Sequence, residues 1–322
     1  MRYENNRTPN VQRRPKRKNH APRNVFLLAI ILSVIAVSAY AVSSLRQEPP
    51  QAGDISGYAN VATPSSEPLH TNYQSQSQEH LQLTQRTFTF NELAAMSNNH
   101  LLLVNMDYAV PEGTPGDLVR ISNLVQTLNP TTMLREGALT GLRTMLDSAA
   151  AYEFVQFRVT QGFRTHEYQQ NLYDTMGESG IAAPPGHSEH QVGLAVDISY
   201  HGVNIGNSPQ GTWLMENSYR YGFILRYPQH KTDITGIPFE PWHYRYVGQP
   251  HAYFMFANDL VLEEYIGLLR RDGELTVVYR QVTYMVYYLS DGDTIEISEG
   301  YTFNASLDNT GGVVVTVWGL PR

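Results

Sequence analysis

The sequence predicts an α+β fold on three observations. Segments of helical and strand periodicity follow one another without regular strand–helix–strand alternation, no glycine-rich turn joins a strand to a helix, and the chain beyond residue 258 is rich in β-type runs. Residues 101–104 form a short apolar run of strand type, followed by a Pro- and Gly-containing loop over 110–116. Leu139, Leu142, Leu146 and Ala149 recur at helical spacing, so 135–151 is an amphipathic helix. Val155, Phe157 and Val159 alternate with Gln156, Arg158 and Thr160, the pattern of a half-buried strand. Residues 165–176 form a helix with Thr165 as cap and Gly177 as stop. Residues 193–198 form an apolar strand ending on Asp197, and a helix over 213–221 stops at Gly222 before a strand at 223–227. A capped helix at 259–271 and β-rich runs at 275–289, 294–297 and 313–317 make 259–322 a small appended β-rich module.

Charge and hydropathy place this domain. Eight Lys or Arg and one acid precede residue 24, a local charge of about +7, whereas the 322-residue chain totals −7. Everything after the tail is therefore strongly acidic, which excludes nucleic acid as a partner on electrostatic grounds. Residues 25–42 carry no charge and Leu45 extends the run, approaching the roughly 20 apolar residues that span a bilayer. The basic segment 1–24 then stays in the cytoplasm, 25–45 is a transmembrane signal-anchor, and the rest is extracellular. A cleavable signal peptide competes, since Ala39 and Ala41 flank an acceptable small-x-small site; the long basic stretch and long apolar run favour the anchor. Residues 46–86, rich in Gln, Ser, Pro, His and Gly, hold too few large apolar side chains to offset their ordering entropy and read as a disordered stalk. The absence of cysteine removes a lipid anchor, a disulfide framework and every cysteine nucleophile.

Metal-type residues are densest in the 87–258 part. His187, Ser188, Glu189, His190 and Asp197 are followed 46 residues after Asp197 by His243, with Glu240 three positions before it. Two histidines and a carboxylate make an N, N, O set suited to zinc, and three protein ligands leave a fourth position for water, as a catalytic site requires. Glu240 is a carboxylate outside that set, placed to take a proton, and Pro241 excludes a helical HExxH arrangement. A carboxylate buried at Asp197 is costly unless an ion or hydrogen bonds satisfy it. A lone His–Glu pair is more often a polar contact than a metal site, so the weight falls on the two segments together.

Three segments carry a resemblance. Ser188, His190, Gly193, Ala195 and Asp197 are similar to the S-x-H-x-x-G-x-A-x-D motif of VanY-type D-alanyl-D-alanine carboxypeptidases. Glu240, Pro241, Trp242, His243, Arg245 and Tyr246 resemble their E-P-W-H-x-R-Y setting, and Val159, Gly162, Phe163, Arg164, Thr165 and Gln169 resemble their V-x-S-G-Y-R-S-x-x-x-Q segment. The likeness covers about residues 88–257. It implies zinc held by His190, Asp197 and His243, with Glu240 as catalytic base. It also implies Arg164 on the polarised carbonyl and oxyanion, and Ser188 on the terminal carboxylate of the substrate. Gln169 is a further residue expected near the substrate. The implied fold is a small antiparallel sheet with helices around it, shared with lysostaphin-like peptidases and hedgehog domains. The implied reaction is removal of the C-terminal D-alanine from peptidoglycan stem peptides at a bacterial cell membrane. Gln161 and Thr165 depart from the serines of the family pattern, which bears on substrate preference, and His187 is expected to be an accessory neighbour.

Rival functions are narrowed by composition. A serine penicillin-binding protein needs Ser-x-x-Lys, and of the three lysines only Lys231 lies beyond the tail, with Pro228 where the serine would stand. An L,D-carboxypeptidase acting on tetrapeptide stems uses the same motifs and stays open. A noncatalytic peptidoglycan-binding module would have no need of Glu240 or Arg164.

Overall fold

The computed structural model describes residues 84–319 except 155, 178–181, 202–204 and 207. The segments expected to form the basic tail, the signal-anchor and nearly all of the stalk lie outside the described residues. Among those described, no helix is long and apolar enough to cross a membrane.

In chain order the elements are β1 (Gln85–Thr89), α1 (Phe90–Ala95), β2 (Leu118–Arg120), β3 (Met133–Arg135), α2 (Glu136–Ala150), β4 (Phe157–Gln161), α3 (His166–Met176), β5 (Ala195–Tyr200) and α4 (Pro209–Asn217). They continue with β6 (Phe223–Leu225), α5 (Thr232–Thr235), β7 (His243–Tyr246), α6 (His251–Ala257), α7 (Leu262–Asp272), β8 (Glu274–Tyr279), β9 (Val282–Ser290), β10 (Thr294–Ser298), β11 (Thr302–Leu307) and β12 (Gly312–Trp318). The α+β expectation holds. A four-stranded antiparallel sheet in the order β4-β5-β7-β6 carries the central motifs, and a second antiparallel sheet, β11-β12-β9-β8, follows it.

The apolar face of the first sheet packs on α2. Val159, Val196, Ile198, Phe223 and Tyr244 meet Leu139, Leu142 and Met145 there, all buried. The helix starts at Glu136, one residue inside the predicted range, and buries the predicted Leu139, Leu142 and Ala149. The next helix is also close to expectation: the Thr165 hydroxyl accepts from the Tyr168 N–H, and α3 ends at Gly177. The strand carrying Asp197 runs on to Tyr200, so Asp197 lies mid-strand rather than at an end. The expected helix over 213–221 divides into α4 and a 3-10 turn, Ser218–Tyr221, because Gly222 at φ +84 reverses the chain into β6.

Residues 101–104 form no strand. Their alternation serves a different purpose: Leu102 and Val104 enter the core beneath the first sheet, while Leu101 and Leu103 enter a second core with Met255, Leu262, Tyr265, Ile266, Leu269, Val286 and Val314. The extended chain is wedged between two apolar layers, and its N–H groups find partners outside any ladder: Leu101 donates to Ser306 Oγ at 2.8 Å, Leu102 to the Asn99 carbonyl at 3.3 Å and Leu103 to the Asp308 carbonyl at 3.0 Å. The N-terminal β1 also reaches the C-terminal part, pairing antiparallel with β10, and Phe88 and Leu93 share a third core with Leu289, Val313, Val315 and Val317.

The β-run at 275–289 is two strands. Arg280 and Gln281, at φ +48 and +64, make a two-residue hairpin turn between β8 and β9. Neither residue type signals such a turn, so periodicity alone joined the strands.

Two helical glycines test the packing from opposite sides. A Cβ on Gly141 in α2 would stand 2.5 Å from the Tyr221 carbonyl oxygen, whereas one on Gly267 in α7 meets nothing within 4 Å. Gly141→Ala is expected to cost about 1–3 kcal/mol through overpacking, and Gly267→Ala to gain about 0.5–1 kcal/mol of helix propensity. Urea midpoints at constant m-value check both signs.

Candidate metal centre and active site

Strand register brings the first two candidate ligands together. Asp197 on β5 and His243 on β7 are direct cross-strand partners. Val196, Ile198 and Tyr244 face the core, so the pleat turns Asp197 and His243 to the opposite face. His190 comes from a 3-10 turn, Glu189–Val192, closed by Gly193 at φ +72. The left-handed φ calls for glycine there, and a Cβ would also crowd the Leu118 side chain at 2.8 Å and that of Arg135 at 3.0 Å.

The three residues each offer one ligand atom, all within 4.8 Å of one another. His190 Nε2 lies 3.4 Å and His243 Nδ1 3.0 Å from Asp197 Oδ1. His190 Nδ1 donates to the Gly162 carbonyl at 2.8 Å. A carbonyl only accepts, so the proton sits on Nδ1 and the Nε2 lone pair faces the cluster.

Burial would neutralise Asp197, yet His190 and His243 hold its carboxyl well below the usual carboxylate range. Burial, followed by the Arg164 guanidinium, holds His190 down at about 4. Burial also opposes charge on His243, but hydrogen bonds to Asp197 and Glu189 push it up to about 9. The donor set is thus one ionised carboxylate, one neutral imidazole and one imidazole drawn toward positive charge. A divalent cation answers all three, and this N, N, O chemistry fits zinc.

The other candidates gather at the same place. Glu240 Oε2 is 3.8 Å from His243 Nδ1, with the side chain about 20% exposed. Burial raises its carboxyl above the ordinary value, Asp197 and Glu189 add to that, and His243 and Arg164 oppose it. Arg164 Nη2 donates to Asp197 Oδ2 at 3.4 Å, Nη1 to Gln169 Oε1 at 3.3 Å and Nε to Gln161 Oε1 at 3.4 Å. Gln169 is fully buried, accepts from Arg164 and donates onward to the Ala183 carbonyl at 2.8 Å. Gln161, where the family pattern has serine, is a third contact on Arg164. Ser188 is buried directly before the 3-10 turn. His187 is turned away, its Nδ1 donating to the Asn105 carbonyl at 2.8 Å.

One residue of the metal-type cluster, Glu189, carries no role on sequence grounds yet is central to the geometry. Glu189 is buried beside the ligands, with Oε2 3.5 Å from His243 Nε2 and Oε1 accepting from Arg226 Nε at 2.8 Å and Arg245 Nη1 at 2.9 Å. In the motif it stands as a spacer between Ser188 and His190. The available signal was indirect: Arg226 and Arg245 each sit in a strand-like apolar or aromatic run, where a guanidinium needs a buried acceptor.

Replacing His190 or His243 by alanine is expected to remove the metal, read as zinc per protein by elemental analysis. Full retention by either variant would strike that residue from the ligand set.

A family model described as VanY, D-alanyl-D-alanine carboxypeptidase, matches residues 131–249. A D-alanyl-D-alanine carboxypeptidase of Enterococcus faecium is 32% identical over 278 residues, covering 81% of this chain and 90% of the relative. The putative carboxypeptidase YodJ of Bacillus subtilis is 39% identical over 189 residues, 54% of this chain and 69% of that protein. Among solved structures, the vancomycin-resistance D,D-dipeptidase VanXYg, determined with a D-Ala-D-Ala phosphinate analogue, superposes with a TM-score of 0.65 at 27% identity, over 73% of this chain and all of that one. With a relative matched along nine-tenths of its length, and the candidate trio gathered from the β5–β7 pair and the 3-10 turn before it, the chain belongs to the VanY family of D-alanyl-D-alanine carboxypeptidases.

Proposed function

We propose that this chain is a zinc-dependent D,D-carboxypeptidase that removes the terminal D-alanine from peptidoglycan stem peptides, tethered outside a bacterial membrane by residues 25–45 through the 46–86 stalk. One observation carries the reading: the ligand atoms of His190, Asp197 and His243, the Glu240 carboxylate and the Arg164 guanidinium converge on one face of the β5–β7 pair.

His190, Asp197 and His243 would hold the zinc ion, which when bound supplies a Lewis acid and acidifies water toward neutrality. Glu240 accepts the proton of the attacking water and returns it to the departing D-alanine amine. Its raised proton affinity suits both transfers. Arg164, held by Gln161 and Gln169, presents fixed donors to the oxygen on which negative charge develops. Ser188 is the hydroxyl assigned to the substrate's terminal carboxylate.

Purified ectodomain with zinc, offered pentapeptide and tetrapeptide stems, is expected to release one D-alanine from the pentapeptide, as read by mass spectrometry. Trimming of the tetrapeptide alone would replace this reading with an L,D-carboxypeptidase. Glu240→Gln is expected to keep zinc and lose activity by about 10²–10⁴-fold; full turnover in that variant would remove Glu240 as the base.

A further inference from the structure

Arg226 and Arg245 are the two largest side chains in the described structure with no exposure to solvent. Buried guanidinium groups persist only where acceptors surround them. Arg245 has Glu189 at Nη1, the carbonyls of His100 and Leu102 at Nη2 (3.1 and 2.9 Å) and the Tyr246 carbonyl at Nε. Arg226 has Glu189 at Nε and, on its other edge, a bidentate fork onto Glu263: Nη1 to Oε2 at 2.9 Å and Nη2 to Oε1 at 2.6 Å. Asn105 Nδ2 also donates to Glu263 Oε1, at 3.2 Å. Glu263 belongs to the first turn of α7, beyond the three sequence motifs.

The two oxygens of Glu189 are divided. Both arginines take Oε1, and Oε2 is left facing His243 Nε2 at 3.5 Å. The division matters for His243, whose other nitrogen, Nδ1, faces Asp197 and the ligand cluster. An imidazole binds metal through Nδ1 only when its proton is on Nε2, and a carboxylate at Nε2 selects that tautomer and fixes the ring plane. The ring is bounded further by Tyr227, with centroids 4.9 Å apart, and the Arg226 guanidinium lies 4.9 Å over that same Tyr227 ring.

We infer that Glu189 is a positioning residue for the metal ligand His243, and that Glu263 on α7 sets it through Arg226, making the segment after the peptidase motifs part of the assembly of the zinc site. The inference rests on the zinc reading given above. It assigns Glu189 and Glu263 no contact with substrate; they act through His243.

The test measures zinc affinity by chelator competition and the visible absorption of the cobalt-substituted protein, for wild type, Glu189→Gln, Glu263→Gln and Glu263→Asp. Leu269→Ala serves as control, since Leu269 is buried in the second core on the same helix and destabilises without touching the network. Glu189→Gln is expected to weaken zinc binding about 10–100-fold, to alter the cobalt spectrum, and to lower kcat more than it changes KM. Glu263→Gln is expected to move the same readouts in the same direction by a smaller factor, with Glu263→Asp recovering part of the loss. Leu269→Ala lowers the urea midpoint while zinc affinity and spectrum stay at wild-type values. If Glu189→Gln does not fold with two arginines left short of a carboxylate, Glu263→Gln decides alone. Folded Glu263→Gln protein with wild-type zinc affinity and cobalt spectrum overturns the inference. Wild type that binds no zinc overturns the metal reading itself, a different result from an unchanged variant.

Discussion

Two buried guanidinium groups set the terms for much of this structure. Arg226 and Arg245 cannot be hydrated, so every donor they carry must find an acceptor inside the protein. Those acceptors come from distant stretches of chain: the His100 and Leu102 carbonyls, the Glu189 carboxylate and the Glu263 carboxylate. The N-terminal extended segment, the ligand-bearing turn, the strands β6 and β7 and the helix α7 are thereby joined at one point. A structure that left any of these out would strand a charge in an apolar interior.

That joint lies beside the candidate ligand cluster, and the geometry of the sheet explains why. Successive strand residues alternate faces, so His243 and Arg245 share the face that Tyr244 does not. Asp197 stands opposite His243 across the ladder. The same register therefore sets the candidate ligands Asp197 and His243 side by side and turns Arg245 toward Glu189. Burial raises the cost of each charge, and the arrangement answers with alternating signs: Asp197 between two imidazoles, Glu189 between His243 and two arginines, Arg226 between two glutamates. Such a network favours one arrangement of its members over others because a half-satisfied version is worse than none.

The apolar part of the structure is organised around the same line. Residues 101–104 divide their side chains between two cores, and the carbonyls of His100 and Leu102 are occupied by Arg245. The second core continues through α6 and α7 into β9 and β12, while β1 adds itself to β10. The sheet bearing the chemistry and the β-rich C-terminal strands are thus packed through a shared extended segment.

Sequence alone determined what local periodicity and residue chemistry encode. The α2 helix, the capped α3 helix and β5 were legible because their apolar spacing and caps are local signals. His190, Asp197, His243, Glu240 and Arg164 were legible as a candidate cluster from residue type, order and the family pattern, and the fold brings them together. Tertiary structure decided everything that depends on which distant residue becomes a neighbour. The 101–104 run has strand composition, but its alternating side chains are claimed by two separate cores, so it lies as a wedge between them. Arg280 and Gln281 adopt positive φ without turn-type residues because the paired strands on either side impose it. Glu189 looked like a spacer, since its partners lie 37 and 56 positions away. Its place behind His243 exists only once β6, β7 and α7 have closed around it, because the need to pair a buried charge is a property of the folded interior and not of the chain.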